Sequence, residues 1–253
     1  MAPRRSPGLV VTFAGSGDAF GSGGRLQSCI HVQGPPPLDP VLVDCGATSL
    51  SALKRLGLEP SEVAAVFVSH LHGDHFGGLP FLILDGQFAH RTKPLTIAGP
   101  PGLAARLHDA MECLFPGSST VGRPFDVDVI ELQPGSTNSV AGITVAVWEV
   151  DHQSGAPPLA LRLTISDKTI AHTGDTAWTE ALIAVAADAD LLIAEAYYRE
   201  KRVPFHLRYA DLVAHRDELT CARIIVTHMS DDVLGHPDAI SLEMAHDGLA
   251  VEV

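Results

Sequence analysis

The densest group of chemically active side chains in this sequence is His70-Leu71-His72-Gly73-Asp74-His75, with three imidazoles and one carboxylate. It directly follows residues 64–69, an apolar run with the pattern of a buried strand. Imidazole nitrogens and carboxylate oxygens suit Zn²⁺, and Gly73 allows a bend that can turn these side chains towards two adjacent ions. The spacing therefore favours a metal site over a polar loop with incidental histidines.

Three later positions repeat this pattern of a strand followed by a ligand-type side chain. His152 follows the apolar run 143–150, Asp175 follows 169–172, and His228 follows 223–227. A carboxylate such as Asp175 can bridge two ions about 3.5–4 Å apart. One strand-end histidine alone is more often structural, so the repetition of the pattern is what indicates a shared site.

The elements that must position these side chains are short apolar runs with helical segments between them. Runs rich in Val and Ile predict strands at residues 9–14, 41–43, 63–68, 95–98, 143–150, 159–165, 169–172, 191–194 and 223–227. Helical patterns cover residues 49–56, 102–114, 178–187, 210–219 and 237–245, and a further helix begins near Leu79. Residues 66–70 and 225–228 both end in a hydroxyl residue and a histidine, as two similar halves would. The order of elements indicates an α/β fold.

The run Ser-His-Leu-His-Gly-Asp-His-Phe-Gly-Gly-Leu-Pro at residues 69–80 resembles the signature of the metallo-β-lactamase superfamily, in particular its ribonuclease Z-like branch. The resemblance covers nearly the whole chain in the expected order: the glycine-rich turn at 15–28, Val43-Asp44-Cys45-Gly46, Asp151-His152, Gly174-Asp175 and Thr227-His228. It implies a four-layer αββα sandwich with the metals at one edge of the sheets. Residues 1–253 are then expected to form a single domain of two similar αβ halves.

The resemblance also implies a ligand set for two zinc ions. It assigns His70, His72 and His152 to one ion, Asp74, His75 and His228 to the other, and Asp175 to the bridge. Nitrogen and carboxylate ligands of this kind suit Zn²⁺ ions with open positions, although Mn²⁺ or Fe²⁺ could use the same ligands. Oxygen-reducing di-iron relatives carry Glu in place of His72, and class B β-lactamases carry Cys in place of Asp175. Redox chemistry and lactam hydrolysis are therefore disfavoured.

The resemblance further implies catalytic roles outside the metal ligands. A metal-bridging hydroxide is the expected nucleophile, with Asp74 orienting it. The branch has a glutamate at the position of Glu195 and a catalytic histidine at His206, which would protonate the leaving oxygen while Glu195 holds its other nitrogen. The family usually continues His-Ser-Thr, whereas this chain has His206-Leu207-Arg208. A surface or packing role for His206 is therefore the alternative.

Two arginines are candidate substrate-binding residues. Residues 15–24 are rich in glycine, but no helical pattern follows and no Gly-Lys-Ser/Thr occurs, which disfavours dinucleotide and P-loop sites. This glycine-rich segment forms either a simple turn or one wall of the site. In the second case, Arg25 or Gln27 faces the substrate. The basic group around His206 is either a solvated face or an anion clamp, with Arg208 as the candidate contact.

Composition and spacing restrict the substrate. The chain has 253 residues, with Lys and Arg numbering 17 against 30 Asp and Glu, for a formal net charge of −13. This acidity disfavours a broad nucleic-acid face, and residues 153–174 leave no room for the long arm that ribonuclease Z enzymes use for tRNA. We expect a dinuclear zinc hydrolase acting on a small anionic ester, most simply a phosphodiester such as a cyclic nucleotide.

Three alternatives to this function stay open. The same metals could hydrolyse carboxylic or sulfate esters or lactones, or the protein could be a tRNA 3′-processing endonuclease. A non-catalytic, metal-stabilised binding protein is the third.

The cysteines and the apolar runs indicate the cellular compartment of the protein. The 4 cysteines show no CxxC spacing, which favours reduced thiols. No apolar run approaches the ~20 residues that span a bilayer. We expect a cytoplasmic protein without membrane contact, with a homodimer as one option for its assembly.

Overall fold

The computed structural model describes residues 8–253 as two seven-stranded sheets with helices outside them. The strands are β1 (Val10–Gly15), β2 (Cys29–Gln33), β3 (Val41–Val43), β4 (Ala65–Phe67), β5 (Leu95–Gly99), β6 (Val127–Glu131), β7 (Thr137–Val140), β8 (Ile143–Glu149), β9 (Leu159–Ile165), β10 (Lys168–His172), β11 (Leu191–Glu195), β12 (Ile224–Thr227), β13 (Glu243–Met244) and β14 (Ala250–Glu252). The helices are α1 (Ser49–Arg55), α2 (Gly73–Phe76), α3 (Leu79–Phe88), α4 (Leu103–Leu114), α5 (Ala181–Ala186), α6 (Tyr209–Ala214) and α7 (Asp231–Leu234). The predicted domain over 1–253 begins with seven residues that lie outside this described range.

The two sheets share one pattern of strand directions. The first has the order β14-β1-β2-β3-β4-β5-β6 and the second, read from β7, the order β7-β8-β9-β10-β11-β12-β13. In both orders the first three pairings are antiparallel and the last three are parallel. By this order β4 corresponds to β11. The similar sequence segments 66–70 and 225–228 include β4 and β12, which therefore occupy non-equivalent positions in the two sheets.

Alternation along the strands produces four layers. In β4, Ala65 and Phe67 face the apolar core between the two sheets, whereas Val66 points to the opposite face and packs among residues of α1, α3 and α4. The second sheet does the same: Ile193 faces the inter-sheet core, and Leu192 packs with residues of α5 and α6. Period-two alternation with both faces buried is the pattern of a sheet covered on both sides. The αββα prediction is therefore confirmed.

One predicted helix is wrong. Residues 237–245 form a single 3₁₀ turn at Pro237–Ala239 followed by β13, which pairs in parallel with β12. Ile240, Leu242 and Met244 pack against the core under the second sheet, and their spacing of two residues is the period of a strand rather than of a helix. The other predicted helices are present with shorter bounds; the segment 210–219 is divided into α6 and a 3₁₀ turn. Within residues 8–253, no helix combines the length and apolar character needed to cross a bilayer.

A buried histidine in β2 makes the fold sensitive to acid. His31 lies on the helix-covered face of the first sheet, is only 4% exposed, and burial lowers its pKa to about 4. In the unfolded chain it titrates near 6.5, so between these values the unfolded state binds the extra proton. Stability should therefore be unaffected by His31 above about pH 6.5 and fall by about 3 kcal/mol as the pH drops through this window.

We expect His31→Leu to reduce the loss of unfolding free energy between pH 7 and pH 4.5. Urea unfolding at pH 7 and at pH 4.5 measures it, as the difference between the two free energies of unfolding. His108→Leu, at a largely exposed ring on α4, is the matched control. If His31→Leu loses as much unfolding free energy as the wild type between these pH values, another group causes the loss.

Candidate metal centre

The carboxyl ends of strands from both sheets meet at one edge of the sandwich. In the second sheet β8, β10, β11 and β12 run in the same direction, so the residues that follow them emerge together. In the first sheet β3 and β4 end at the same edge, and Ser69 accepts a hydrogen bond from Leu159 of β9 through its carbonyl at 2.9 Å. The sequence-predicted residues are therefore brought to one place by strand direction alone.

Three of the predicted ligands form a first group. Ligand atoms of His70, His72 and His152 all lie within 4.8 Å of one another. His70 is fully buried, and His152 Nε2 lies 3.1 Å from His72 Nδ1. Two ring nitrogens at this distance need either one shared proton or one shared cation. We name these three residues the first ligand group.

The second ligand group is Asp74, His75, Asp175 and His228, all buried, with ligand atoms again within 4.8 Å. Asp175 Oδ1 is 3.3 Å from His75 Nε2, and Asp175 Oδ2 is 3.3 Å from His228 Nε2. Asp175 Oδ2 is also 3.9 Å from His70 Nε2 of the first group. Asp175 therefore lies between the two groups, as a bridging carboxylate must.

The donor atoms fit a pair of metal ions. His70 Nε2 is buried and finds no hydrogen-bond partner within residues 8–253, and the buried His75 Nε2 has only contacts of 3.3 Å with carboxylate oxygens of Asp74 and Asp175. A buried polar atom without a partner is costly, and both nitrogens face the other ligand atoms. Nitrogen and carboxylate donors without cysteine suit Zn²⁺ and its first-row neighbours. The seven residues are thus arranged as a dinuclear metal site.

Charges in the site shift the histidine pKa values in opposite directions. Burial lowers the pKa of His70 well below its usual range, and the neighbouring His75 adds to this effect. Burial would also lower the pKa of His75, but the carboxylates of Asp175, Asp74 and Asp44 outweigh it and raise that pKa well above normal. Asp74 has a lowered pKa, since the His75 and His228 charges outweigh its burial. Metal binding must therefore displace protons from part of the ligand set.

Asp44 contacts His75 on the ring nitrogen that does not face the other ligand atoms. Its fully buried carboxylate lies 2.7 Å from His75 Nδ1 and 3.3 Å from His172 Nε2. It also accepts hydrogen bonds from the Ser69 amide at 2.8 Å and the Ser69 hydroxyl at 2.9 Å. A carboxylate on the second nitrogen of a ligating histidine fixes the ring orientation and its tautomer. Asp44 is therefore positioned to orient His75 for a metal ion.

Glycine is required where the backbone after β3 touches the turn that carries Asp74. A Cβ added at Gly46 would lie 2.2 Å from the Asp74 carbonyl oxygen, and one at Gly78 would lie 2.2 Å from the Gly46 oxygen. Cys45 links the same segments, because its amide donates to the His75 carbonyl at 2.6 Å. The sequence Asp44-Cys45-Gly46 thus forms a close-fitting support for this turn.

His206 lies beside both ligand groups and is held by Glu195. The ring of His206 is 5.1 Å from that of His152 and 6.1 Å from that of His228. Its Nδ1 forms a short hydrogen bond with Glu195 Oε1, while Glu195 Oε2 accepts from the Thr176 amide at 2.9 Å. Burial would lower the pKa of His206, but the Glu195 hydrogen bond and charge raise it. The pair therefore favours a protonated imidazole next to the metal ligands.

Left-handed backbone occurs at three residues that build the site. Asp44, Phe205 and His228 have φ values of 59°, 66° and 54°, a conformation that costs of order 1–3 kcal/mol in a non-glycine residue. At Phe205 it directs the carbonyl to His152 Nδ1 at 2.8 Å. At His228 the amide donates to the Ser16 carbonyl at 3.1 Å. The strain is thus located where a ligand ring or its backbone is oriented.

The glycine-rich segment is joined to the site through Ser16. Its carbonyl accepts from the His228 amide, and its amide and hydroxyl donate to Asp247 Oδ1 at 3.0 and 2.9 Å. Arg25, a predicted substrate contact, donates to the Ala245 carbonyl. Arg208, the other, pairs with Asp211 and the Glu200 carbonyl. Both guanidinium groups are engaged within the protein, and their substrate roles stay predictions.

Sequence reasoning assigned no role to two residues of the site. Asp44 stood in a matched motif but had no function attached to it, because a lone carboxylate after a strand is a weak signal. Tyr197 was not considered; its ring lies 4.6 Å from that of His206, and burial together with Asp18 raises its pKa to about 12. Its position two residues after Glu195 is the signal that points to it.

The chain matches known proteins over almost its entire length. Residues 9–244 match the family model "Anti-Pycsar protein Apyc1". The chain belongs to this family. It is also 25% identical to a protein named ribonuclease Z from Methanosarcina acetivorans, over 89% of this chain and 90% of that one.

Solved structures give the same result for the fold. Human tRNase Z, short form, superposes with a TM-score of 0.78 at 22% identity, covering 96% of this chain and 99% of that one. A diphosphatase from the PhnP family gives a TM-score of 0.77 at 19% identity, covering 97% and 98%. The protein thus has the metallo-β-lactamase fold, and its relatives and structural neighbours include proteins named ribonuclease Z, tRNase Z and a diphosphatase.

The support given by Asp44 yields a prediction for metal affinity. Asp44→Asn removes the charge and leaves a single acceptor oxygen for His75, His172 and Ser69, so His75 is held less strongly. We expect the affinity for the metal at the second ligand group to fall roughly 10–100-fold. A competitive chelator titration measures it.

Asp167→Asn, at an exposed turn between β9 and β10, removes the same charge far from the site and is the control. Because Asp44 is buried, circular dichroism must first show that Asp44→Asn is folded. Wild-type affinity in the folded variant would contradict the assigned role.

Proposed function

We propose that this protein is a dinuclear zinc phosphodiesterase that hydrolyses small phosphodiesters, with cyclic nucleotides as the preferred class. The observation that carries the proposal is the Glu195–His206 pair beside both ligand groups. A phosphodiester with an alkoxide leaving group needs a proton at the leaving oxygen. A hydrolase for activated aryl esters, whose leaving groups depart without protonation, has less use for such an acid.

The seven ligand residues would hold the ions, His70, His72 and His152 one and Asp74, His75 and His228 the other, with Asp175 shared. When bound, the metals supply Lewis-acid stabilisation of phosphoryl charge and lower the pKa of a water molecule. Zinc fits this donor set, and Mn²⁺ or Fe²⁺ could replace it according to availability.

Asp74 has one oxygen available to orient the attacking water. Its Oδ2 lies 3.3 Å from His75 Nε2 and 3.2 Å from His228 Nε2. Its Oδ1 makes no hydrogen bond or ion pair to any other part of residues 8–253. The carboxylate can therefore be held by the ligand histidines on one side and accept a proton from water on the other.

His206 is oriented to deliver its proton from Nε2. Because Glu195 occupies Nδ1, the proton on that nitrogen is retained, and Nε2 has no partner among the residues the structure describes. Glu195 is itself fixed by the Thr176 and Leu207 amides. The histidine can thus protonate the leaving oxygen without first changing its orientation.

The preference for a small substrate rests on two features of the chain. Residues between His152 and Asp175 consist of a short loop and the β9–β10 hairpin, which leaves no arm at the position expected for tRNA binding. The net charge of −13 also opposes a polyanion. Processing of tRNA 3′ ends is the second candidate, favoured by the relatives named ribonuclease Z.

A substrate panel with metal analysis tests the function. Purified protein should contain two zinc ions per chain and hydrolyse bis(p-nitrophenyl) phosphate and 3′,5′-cyclic nucleotides, and a chelator should abolish both activities. Turnover of lactones or aryl esters without phosphodiester turnover would replace the proposal with the ester alternative. Cleavage of precursor tRNA alone would favour the second candidate. Two bound metals without turnover of any substrate would indicate a binding protein.

The role of His206 gives a prediction that depends on the leaving group. We expect His206→Ala to lower kcat for a cyclic nucleotide, whose leaving group is an alkoxide, by roughly 10²–10⁴. The loss with bis(p-nitrophenyl) phosphate should be smaller, since p-nitrophenolate leaves without protonation. Both metals should remain bound.

Glu195→Gln should show the same dependence on leaving group with a smaller loss, because the amide holds Nδ1 less strongly than a carboxylate. His108→Ala, on the exposed face of α4, is the control histidine. Equal losses for the two substrates in His206→Ala would argue against proton donation, and full activity towards both would remove His206 from the mechanism.

A further inference from the structure

A cavity of about 460 Å³ adjoins the candidate site on its His206 side. Its walls come from the loops after β8, β10 and β11 and from the end of α6. The lining residues include Asp151, Trp178, Arg202, Phe205, His206 and His215. We name it the His206 cavity. Its volume lies within the roughly 300–1,000 Å³ of small-molecule sites.

His206 separates this cavity from the metal ligands. The same imidazole that lines the cavity lies 5.1 Å, ring to ring, from His152 of the first ligand group. Phe205 has a similar double position, because its carbonyl holds His152 while the residue lines the cavity. A molecule in the cavity is therefore within reach of His206, which lies next to the metal ligands.

The direction of the proposed reaction determines what enters the cavity. A general acid must lie within hydrogen-bond distance of the leaving oxygen, so the leaving part of the substrate extends past His206. When a 3′,5′-cyclic nucleotide opens, water adds across one P–O bond and the leaving oxygen stays attached to the sugar. The oxygen of water bonds to phosphorus and the water releases one proton. His206 donates one proton to the sugar oxygen and regains one from solvent, so no other reactant is consumed. The nucleoside therefore lies on the cavity side.

The basic residues around the cavity are mostly neutralised by other side chains. Arg208 pairs with Asp211, and Arg199 pairs with Asp232 at 3.4 Å. Lys201 lies 5.0 Å from the centre of the Tyr198 ring. Arg202 alone of this group has no ion pair or ring contact within residues 8–253, although its charge helps to lower the pKa of Asp211, which also lines the cavity. The cavity is therefore not a polyanion clamp, and it presents one guanidinium without a direct partner.

The remaining walls combine an aromatic surface with a free acceptor. Trp178 stacks on His215 with ring centres 3.8 Å apart and an interplanar angle of 11°, and His215 Nδ1 is held by Glu218 at 2.6 Å. Asp151 bonds through its backbone to Thr176 and Ala177, while its carboxylate has no partner in the described range. Aromatic rings with a few polar groups suit a planar heterocycle that carries hydrogen-bonding groups.

We propose that the His206 cavity binds the nucleoside part of a cyclic nucleotide, with Trp178 as its aromatic wall and with Asp151 and Arg202 as its hydrogen-bonding partners. This inference rests on the proposed phosphodiesterase function. It makes these three residues determinants of specificity rather than of the hydrolytic step. Asp151 accepts from sugar hydroxyl or base amino groups, and Arg202 donates to base carbonyl oxygens.

Kinetics with two phosphodiesters test the proposal. The metal-loaded enzyme and the single variants Asp151→Asn and Arg202→Gln are assayed with 3′,5′-cyclic nucleotides of each common base and with bis(p-nitrophenyl) phosphate. Loss of one hydrogen bond to a charged group corresponds to about tenfold or more. We therefore expect kcat/KM for at least one cyclic nucleotide to fall about tenfold relative to that for bis(p-nitrophenyl) phosphate, mainly through KM.

Asp167→Asn and Arg55→Gln make the same changes at exposed positions away from the cavity and should leave the ratio of the two kcat/KM values unchanged. If both cavity variants keep the wild-type ratio for every base, the cavity inference is wrong even though the function stands.

Fluorescence provides a readout that needs no turnover. The chain has 2 tryptophans, so Trp148→Phe leaves Trp178 as the single indole. Titration of this protein without metals with a nucleoside 5′-monophosphate should quench or shift the Trp178 emission, and Asp151→Asn in the same background should weaken that binding. No change in emission up to a nucleotide concentration that inhibits the enzyme would overturn the inference.

The two proposals fail in different ways. Absence of hydrolysis of either phosphodiester by the protein with two metals bound would remove the proposed function, and the fluorescence titration then decides the cavity by itself. Hydrolysis of both substrates together with unchanged Trp178 emission and unchanged ratios would remove only the cavity assignment.

Discussion

The buried carboxylate of Asp44 is the interaction on which the arrangement of the site depends. It follows β3 in the first sheet, yet it also approaches His172 at the end of β10 in the second sheet at 3.3 Å. Through Ser69 and His75 it holds the turn that carries four of the metal ligands. A charge with no exposed surface is tolerated only when several donors satisfy it. The contact therefore fixes the relative position of the two sheets where the ligand groups meet.

This dependence explains which parts of the site the sequence could predict. The metal ligands come from a short motif and from residues directly after buried strands, so local spacing identified His70, His152 and His228. Strand direction then brought them together. The position of Asp44 behind His75 depends instead on a contact between residues 31 positions apart, and that kind of pairing has no local signal.

The same limit applies to the fold. The predicted central strands are present because their runs of Val and Ile are buried on both faces, whereas β2 and the strands at the sheet edges, β6, β7, β13 and β14, were not predicted. β2 is central and buried, but its short run includes the polar residues His31 and Gln33. Edge strands are partly exposed and carry polar residues, such as Asp128 in β6 and Asn138 in β7, so their hydrophobic period is weak. At 237–245 the helical pattern was outweighed by pairing with β12. The single domain, cytoplasmic location and homodimer were not tested and stay predictions.

Most basic side chains near the metal site are neutralised by acidic neighbours, so metal ions would be the main source of positive potential there. In the sequence, the basic residues near His206 could form an anion clamp. In the structure, Arg199 and Arg208 are each paired with an aspartate. Around His206, within residues 8–253, a phosphodiester would therefore meet no extended cationic track along which a long nucleic acid could bind, and the strongest attraction would come from metal ions at the two ligand groups. Because Coulomb energy falls with distance and is screened by salt, such a concentrated charge attracts one phosphate. Recognition of the rest of the substrate would then fall to uncharged and hydrogen-bonding surfaces, as we propose for the His206 cavity.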